Sequence, residues 1–426
     1  MVWWLPAALV VGVYCGWQGY SRWLFARQPE PVGDGERRHF TVVVPFRNEA
    51  EHLPELLRSL SAQTYPAEHF DVVLVDDFSS DGSVALVEAH FGAAAGAMGV
   101  ETEAPPRLRA RGYASPPYLL HLADHYAERE LVAHKKAALD LAIRHHARDG
   151  WILTTDADCS LPPDLLERLN ALAGEGLEPQ TLLGPVFNAP LRPNLCDHFQ
   201  ALDLAAYQFL TATSVYRGTP ALANGACLAF RRSAFLAVDG YAGVDHLPSG
   251  DDVLLLHKLA GHFPPEAFAY LPAGAPVTTR PVDGWPALWR QRLRWAGKAG
   301  NYQSTYLQFA QALSFLASLA WVYLLLLLLI SLPRDGAVPP SLLSLLLDGA
   351  VPPSILPLHP PPGPLLLLLL GKLLVDCGNL AAVLRRYGRT ESLRWYPLVA
   401  LVYPFFLVGV GSAALLGIKA PWKGRT

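Results

Sequence analysis

The sequence predicts an α/β catalytic domain on a mixed, mostly parallel sheet, set among membrane-spanning helices. Three observations carry this. Short apolar β-rich runs alternate with helical patterns through residues 38–300. Long apolar runs lie on both sides of that region. Charged residues make up only 17% of the 426 residues and hydrophobic ones 51%, whereas soluble domains carry about a quarter charged residues. The mean hydropathy is +0.22. The net charge of −3 argues against a polybasic binder of nucleic acid polymers.

The elements follow in order. "FTVVVPF" (40–46) and "DVVLVDD" (71–77) read as strands, as does "GWILTTDAD" (150–158). Their near-continuous apolar character suits strands covered on both faces. "EAEHLPELLRSLSAQ" (49–63) reads as an amphipathic helix with Leu53, Leu56, Leu57 and Leu60 on one face. "GSVALVEAHF" (82–91) and "HKKAALDLAIRHHA" (134–147) are further helices. Strands alternating with helices imply a sheet that binds ligands at the carboxyl ends of its strands. The polar residues that follow the strands are therefore the candidates.

The flanks differ. Residues 1–26 hold an apolar run rich in Trp and Tyr, with Arg22 and Arg27 at its C-terminal end. This reads as a transmembrane anchor whose C-terminal side is cytoplasmic. Residues 38–282 form the catalytic domain and 283–306 an interfacial helix region. Residues 307–426 form a C-terminal transmembrane region with a Pro-rich loop at 333–363, in which "DGAVPPS" occurs twice. The runs 307–332, 364–384 and 396–418 are each long enough to span, the second despite Lys372 and Asp376. Arg385, Arg386, Arg389 and Arg394 place the loop between the last two in the cytoplasm. The catalytic domain is then cytoplasmic, in an integral membrane protein of a bacterial inner membrane. The five cysteines are scattered with no CxxC pair, so neither a disulfide framework nor a zinc site is expected.

Five polar clusters stand out. Strand 40–46 runs into "PFRNEAEHL" and strand 71–77 ends in "VDDFSSDGS". Asp76 and Asp77 can accept hydrogen bonds from a base or ribose, or serve only turn and cap chemistry. In "TTDADCS", Asp156 and Asp158 lie two residues apart, on one side of an extended chain. Two hard oxygen ligands suit Mg²⁺ or Mn²⁺ holding a diphosphate, and a capped turn is the plainer reading. In "PSGDDVLLLHKL" (248–259), Asp251 and Asp252 precede an apolar helix. They fit an N-cap or a general base. Last, "WPALWRQRLRW" (285–295) packs three tryptophans and three arginines just before the leucine runs. Trp285, Trp289, Arg290 and Arg292 suit the headgroup level. Gln291, Arg294 and Trp295 share the opposite face.

Taken in order, PxxNE, VDDxSxDG, a KKAAL helix, DxD, GDD and QxxRW resemble the family 2 inverting glycosyltransferases. More narrowly, the chain is similar to the membrane-embedded branch of cellulose, chitin and hyaluronan synthases. The resemblance spans roughly residues 38–300. It implies a GT-A fold. Pro45 and Glu49 would frame the nucleotide pocket, and Asp77, with Asp76 beside it, would contact the base. Lys135 or Lys136 would lie near the donor. Asp156 would contact the donor sugar or ribose, and Asp158 would bind the metal with it. Asp252 would be the catalytic base, with Asp251 the alternative. Gln291, Arg294 and Trp295 would border the acceptor and the diphosphate. Here Asp251-Asp252 stands where the family usually has Glu-Asp.

The implied reaction moves a sugar from a nucleotide-diphosphate donor, expected to be UDP-linked, to a hydroxyl of a lipid, oligosaccharide or polysaccharide. A processive polysaccharide synthase is the alternative, and a nucleotidyltransferase a more remote one. The pair His145-His146 is expected on the solvated surface.

Overall fold

A computed structural model describes residues 4–28, 33–91, 117–174, 179–331 and 362–418. The duplicated "DGAVPPS" loop and the basic C-terminal residues lie outside the described residues. The expected strands form where the Val-rich runs stand. β1 (Phe40–Phe46) and β2 (Phe70–Asp76) are buried at every position, as strands covered on both faces must be. β3 (Tyr118–His121) and β4 (Trp151–Thr154) complete a parallel block in the order β3-β2-β1-β4. Its register sets Phe40 beside Phe70 on one side and Trp151 on the other. β5 (Thr181–Leu183), β7 (Leu228–Arg231) and β8 (Phe268–Tyr270) extend it to seven strands, β3-β2-β1-β4-β7-β5-β8. β7 runs antiparallel to both neighbours, so the sheet is mixed and mostly parallel, as expected. A small second sheet pairs β6 (Val186–Asn188) with β9 (Val277–Thr279).

The helices cover both faces. α2 (Leu53–Ser61) buries Leu53, Leu56, Leu57 and Leu60, the four leucines on its predicted face. α3 (Ser83–Phe91), α4 (His134–His145) and α5 (Leu165–Ala173) follow their strands. α6 (Leu195–Tyr216) is capped by Asn194, whose side chain accepts from the Asp197 N–H at 2.9 Å. It is buried along most of its length, because it lies between the sheet and the apolar helices. α7 (Arg232–Ala237), α8 (Val253–His262) and α9 (Gly284–Ala296) lead to the C-terminal region.

There, α10 (Thr305–Ser331), α11 (Pro362–Arg386) and α12 (Tyr396–Leu415) follow. Three segments, Thr305–Ile330, Pro362–Arg386 and Thr390–Leu415, are long and apolar enough to cross a membrane. α1 (Leu5–Ala26) is the helix expected at the N-terminus. It packs along α10 and α11 and is not among those three. The catalytic sheet and the apolar helices share one core. Phe25 of α1 lies 5.3 Å from Phe209 of α6. Tyr387, just past α11, donates to the Leu271 carbonyl at 2.8 Å. Arg386 reaches Gln28 at 3.0 Å, so α1 and α11 end on the same side, against the catalytic domain.

Candidate active site

The site is built at the carboxyl ends of β1, β2 and β4. Pro45 is the penultimate residue of β1, and the chain then turns through Asn48 at φ 51°. The Glu49 N–H donates to Ser83 Oγ at 2.8 Å, and its carboxylate meets His52 Nδ1 at 2.6 Å. Asp76 ends β2 and Asp77 follows it, both buried, and their environments diverge. Burial would raise Asp76, but His121 and the Ser79 N–H and hydroxyl outweigh it and hold it low. Burial raises Asp77 despite His134 at 2.6 Å and the Arg47 guanidinium.

Lys135 and Lys136 separate cleanly. Lys135 Nζ bridges Asp156 at 2.6 Å and Asp251 at 2.8 Å. Those two carboxylates overcome burial and hold its ammonium charged. Lys136 points elsewhere and donates to the Val244 and Leu247 carbonyls. Of the two, only Lys135 lines the cavity described below.

Asp156 and Asp158 follow β4. Ligand atoms of Asp156, Asp158 and Cys159 all lie within 4.8 Å of one another. Burial, and then the Asp156 and Glu49 charges, push the Asp158 carboxyl up. Its neighbours are the Cys159 thiol at 3.5 Å and the Thr279 hydroxyl at 3.4 Å. The two carboxylates crowded together fit a divalent cation, which would relieve their repulsion, with the neutral Cys159 thiol beside them. Cys159 was not singled out from the sequence, since a single cysteine beside DxD carries no spacing signal.

Asp251 and Asp252 precede α8. Asp252 accepts from its own helix at the Val253 N–H (2.7 Å) and from the Gly225 N–H at 3.2 Å, so it caps the helix and faces the cavity. Gly225 leaves little room for a side chain there. A Cβ would stand 3.1 Å from both Asp251 Oδ2 and Lys135 Nζ. Burial and then the Asp251 charge raise the Asp252 carboxyl. Burial would also raise Asp251, but Lys135 outweighs it and holds Asp251 low.

α9 carries QxxRW. Gln291, Arg294 and Trp295 all line the same cavity. Burial lowers the Arg294 guanidinium against the opposing pull of Asp251 and Asp252. One expectation needs correction. Arg292 does not reach the protein surface: it is 5% exposed, with Nε 2.5 Å from Asp203 and its guanidinium 4.1 Å over the Trp295 ring. Trp285 and Trp289 pack on Phe406 of α12. The ion partner of Arg292 lies 89 residues away on α6, so periodicity within α9 could not reveal it. Lys298, half-buried near Asp252, was also missed. His145 is exposed and His146 half-buried.

Pro45, Glu49, Asp77, Lys135, Asp156, Asp158, Asp251, Asp252, Gln291, Arg294 and Trp295 face one cavity of about 1400 Å³, and Asp76 and Lys136 do not line it. It runs from Pro45, Asp77 and Asp158 past Asp252 and Trp295 to residues of α1, α10, α11 and α12.

Comparison with known proteins gives the family. A model of glycosyl transferase family 2 matches residues 41–96, and one of glycosyl transferase family group 2 matches residues 151–356. These stretches are glycosyltransferase family 2 domains. Among curated relatives, an undecaprenyl-phosphate 4-deoxy-4-formamido-L-arabinose transferase of Shewanella sediminis is 30% identical over 139 residues, 32% of this chain and 34% of that protein. The poly(ribitol-phosphate) β-N-acetylglucosaminyltransferase TarS of Staphylococcus aureus is 43% identical over 51 residues, 12% and 9% of the two chains. The chain thus spans about a third or less of the length of these relatives. Among solved structures, a mannosyltransferase from Pyrobaculum calidifontis, in complex with GDP-Man and Mn²⁺, covers 97% of this chain and 99% of its own at 18% identity, with a TM-score of 0.46.

Proposed function

We propose that this chain is a membrane-bound inverting glycosyltransferase of family 2. It moves a sugar from a nucleoside-diphosphate donor to a hydroxyl of a membrane lipid. One observation supports this most: a single cavity carries both the acidic cluster and the side chains of the apolar helices. Donor chemistry and a lipid acceptor can meet there without leaving the protein. The relatives named for undecaprenyl phosphate support a lipid-linked acceptor.

The parts divide as follows. Residues 38–282 form the catalytic domain, 283–306 the region of α9, and 307–426 the membrane region, with residues 1–26 as an N-terminal anchor. The catalytic domain faces the cytoplasm of a bacterial inner membrane. Pro45, Glu49, Asp76 and Asp77 frame the nucleotide, and Lys135 with Asp156 holds the donor. A divalent cation, Mg²⁺ or Mn²⁺, held by Asp156 and Asp158 with Cys159 beside them, would neutralise charge on the leaving diphosphate. Asp252 removes the proton of the acceptor hydroxyl. Its raised pKa suits a base near neutral pH better than that of Asp251, which Lys135 holds low. The acceptor oxygen bonds the anomeric carbon on the face opposite the departing diphosphate, so no covalent enzyme intermediate forms. Arg294 offers that diphosphate a fork of N–H donors. Trp295 offers a sugar a flat apolar face.

The test is purified full chain in nanodiscs with Mn²⁺, screened by thermal shift against UDP- and GDP-sugars. A bound donor should raise the unfolding temperature, and the anomeric configuration of any product should be inverted. If no nucleoside-diphosphate sugar binds with either Mn²⁺ or Mg²⁺, this reading fails.

A further inference from the structure

α9 brings Gln291, Arg294 and Trp295 to the cavity, and the chain keeps a helical course past its end. Gly297 and Lys298 stand at φ −62° and −90°. The Gly297 N–H donates to the Leu293 carbonyl at 2.9 Å, and the Lys298 N–H to that of Trp295 at 3.2 Å. Lys298 is thus one turn beyond Arg294, and it lines the same cavity. Its stem runs along the turn that leads into the acidic pair, since a Cβ on Gly250 would stand 3.8 Å from Lys298 Cδ.

Lys135, Arg47, Arg280, Arg292 and Lys372, on the same cavity wall, each have a carboxylate within 4.0 Å. Arg290 is exposed. Lys298 differs from all of these. Among the described residues, no carboxylate lies within 4.0 Å of its Nζ, and no group accepts a hydrogen bond from it. Nor is Nζ sealed away from a ligand, for it is not among the buried polar atoms without a partner. Burial lowers the Lys298 ammonium; the Asp252 charge opposes this and the Arg294 charge adds to it. A half-buried cation in this setting lacks a counter-ion, and an anionic ligand supplies one.

Phosphate is the anion that fits. Side chains one turn apart on a helix start about 5–6 Å from one another, so Arg294 and Lys298 can close on a single diphosphate. When the bond from the anomeric carbon to the diphosphate oxygen breaks, that oxygen takes the bonding pair. The terminal phosphate then carries one more negative charge. A cation without a partner in the empty site is placed to meet that charge. We propose that Lys298, with Arg294, binds the terminal phosphate of the nucleoside diphosphate, which extends QxxRW to QxxRWxxK. The inference deepens the glycosyltransferase reading and rests on it.

The test uses the full chain in nanodiscs with Mn²⁺ and calorimetric titration of UDP, UMP, GDP and GMP. Lys298→Met keeps the stem and removes the charge. It should weaken whichever diphosphate the unsubstituted chain binds by about tenfold or more, as expected for one charge-assisted hydrogen bond. The matching monophosphate should bind as before, which also reports an intact site. Lys298→Arg should recover most of the loss. An equal loss for mono- and diphosphate, or no recovery in Lys298→Arg, would overturn the proposal. Geranylgeranyl phosphate is titrated into the same samples, read by tryptophan fluorescence, and its binding should be the same in Lys298→Met. A loss there with diphosphate binding intact would assign Lys298 to a lipid phosphate instead and sink the proposal. If the unsubstituted chain binds UDP or GDP and Lys298→Met binds it equally, only the role of Lys298 is wrong. If the unsubstituted chain binds neither, the glycosyltransferase reading itself falls.

Discussion

Lys135 Nζ lies 2.8 Å from Asp251 Oδ2, and this one contact separates two adjacent carboxylates. Asp251 becomes an ion-pair partner, while Asp252 keeps the raised pKa of a buried carboxyl with a charged neighbour. The two substitutions should therefore differ. Asp252→Asn should lower kcat by about 10²–10⁴, the usual range for losing a general base, with nucleotide-sugar binding retained. Asp251→Asn should weaken donor binding through Lys135 and lower kcat less. Steady-state kinetics on both variants checks this, and equal losses in kcat would contradict it.

The same pair sets the pH dependence. Asp252 must be ionised to accept a proton, and its pKa stands above the ordinary carboxylate value. Activity should thus fall as pH drops through that raised value, earlier than for an exposed aspartate. The Asp251 charge is one cause of the elevation, so Asp251→Asn should move the acid limb to lower pH. A kcat/KM profile of the two proteins shows the direction, and a shift to higher pH would refute the pairing.

How much of this was legible in the sequence depends on the range of the interaction. β1 stands at the residues read from "FTVVVPF", because a strand buried on both faces announces itself by composition. The acidic residues were found because short motifs sit at strand ends or, for Asp251 and Asp252, at a helix start. What stayed hidden was long-range. Arg292 was read by its place on α9, and only the fold brings Asp203 to it. Lys135 and Lys136 were indistinguishable as neighbours on a helix, until the Val244 and Leu247 carbonyls claimed one of them. Lys372 and Asp376 looked like exceptions in an apolar run, and they meet Tyr14 only across two helices.

The Arg292–Asp203 pair is buried on both sides, each side chain 5% exposed. Removing one partner leaves a buried charge unmatched, which costs about 3–5 kcal/mol. Arg292→Met should therefore cause a large drop in thermal stability in detergent. The double variant Arg292→Met with Asp203→Leu should regain part of it, since no charge is then stranded. Thermal unfolding of the three proteins tests this, and additive losses in the double variant would show that the two residues are not coupled.

Trp295 separates attachment from turnover. Its ring carries the Arg292 guanidinium at 4.1 Å and meets Tyr207 edge-on at 5.8 Å, and the residue lines the cavity. The contacts of α9 with the apolar helices run instead through Trp285 and Trp289 onto Phe406. Trp295→Ala should thus leave the protein in the membrane fraction. Transfer should fall by about one to two orders of magnitude, since a stacking platform and the ordering of Arg292 are worth a few kcal/mol. Trp295→Phe should recover part of that loss, because it restores a ring over which the guanidinium can lie. Fractionation and initial rates on the same preparations decide it. Loss of attachment with normal turnover in detergent would make Trp295 an anchor rather than part of the acceptor site.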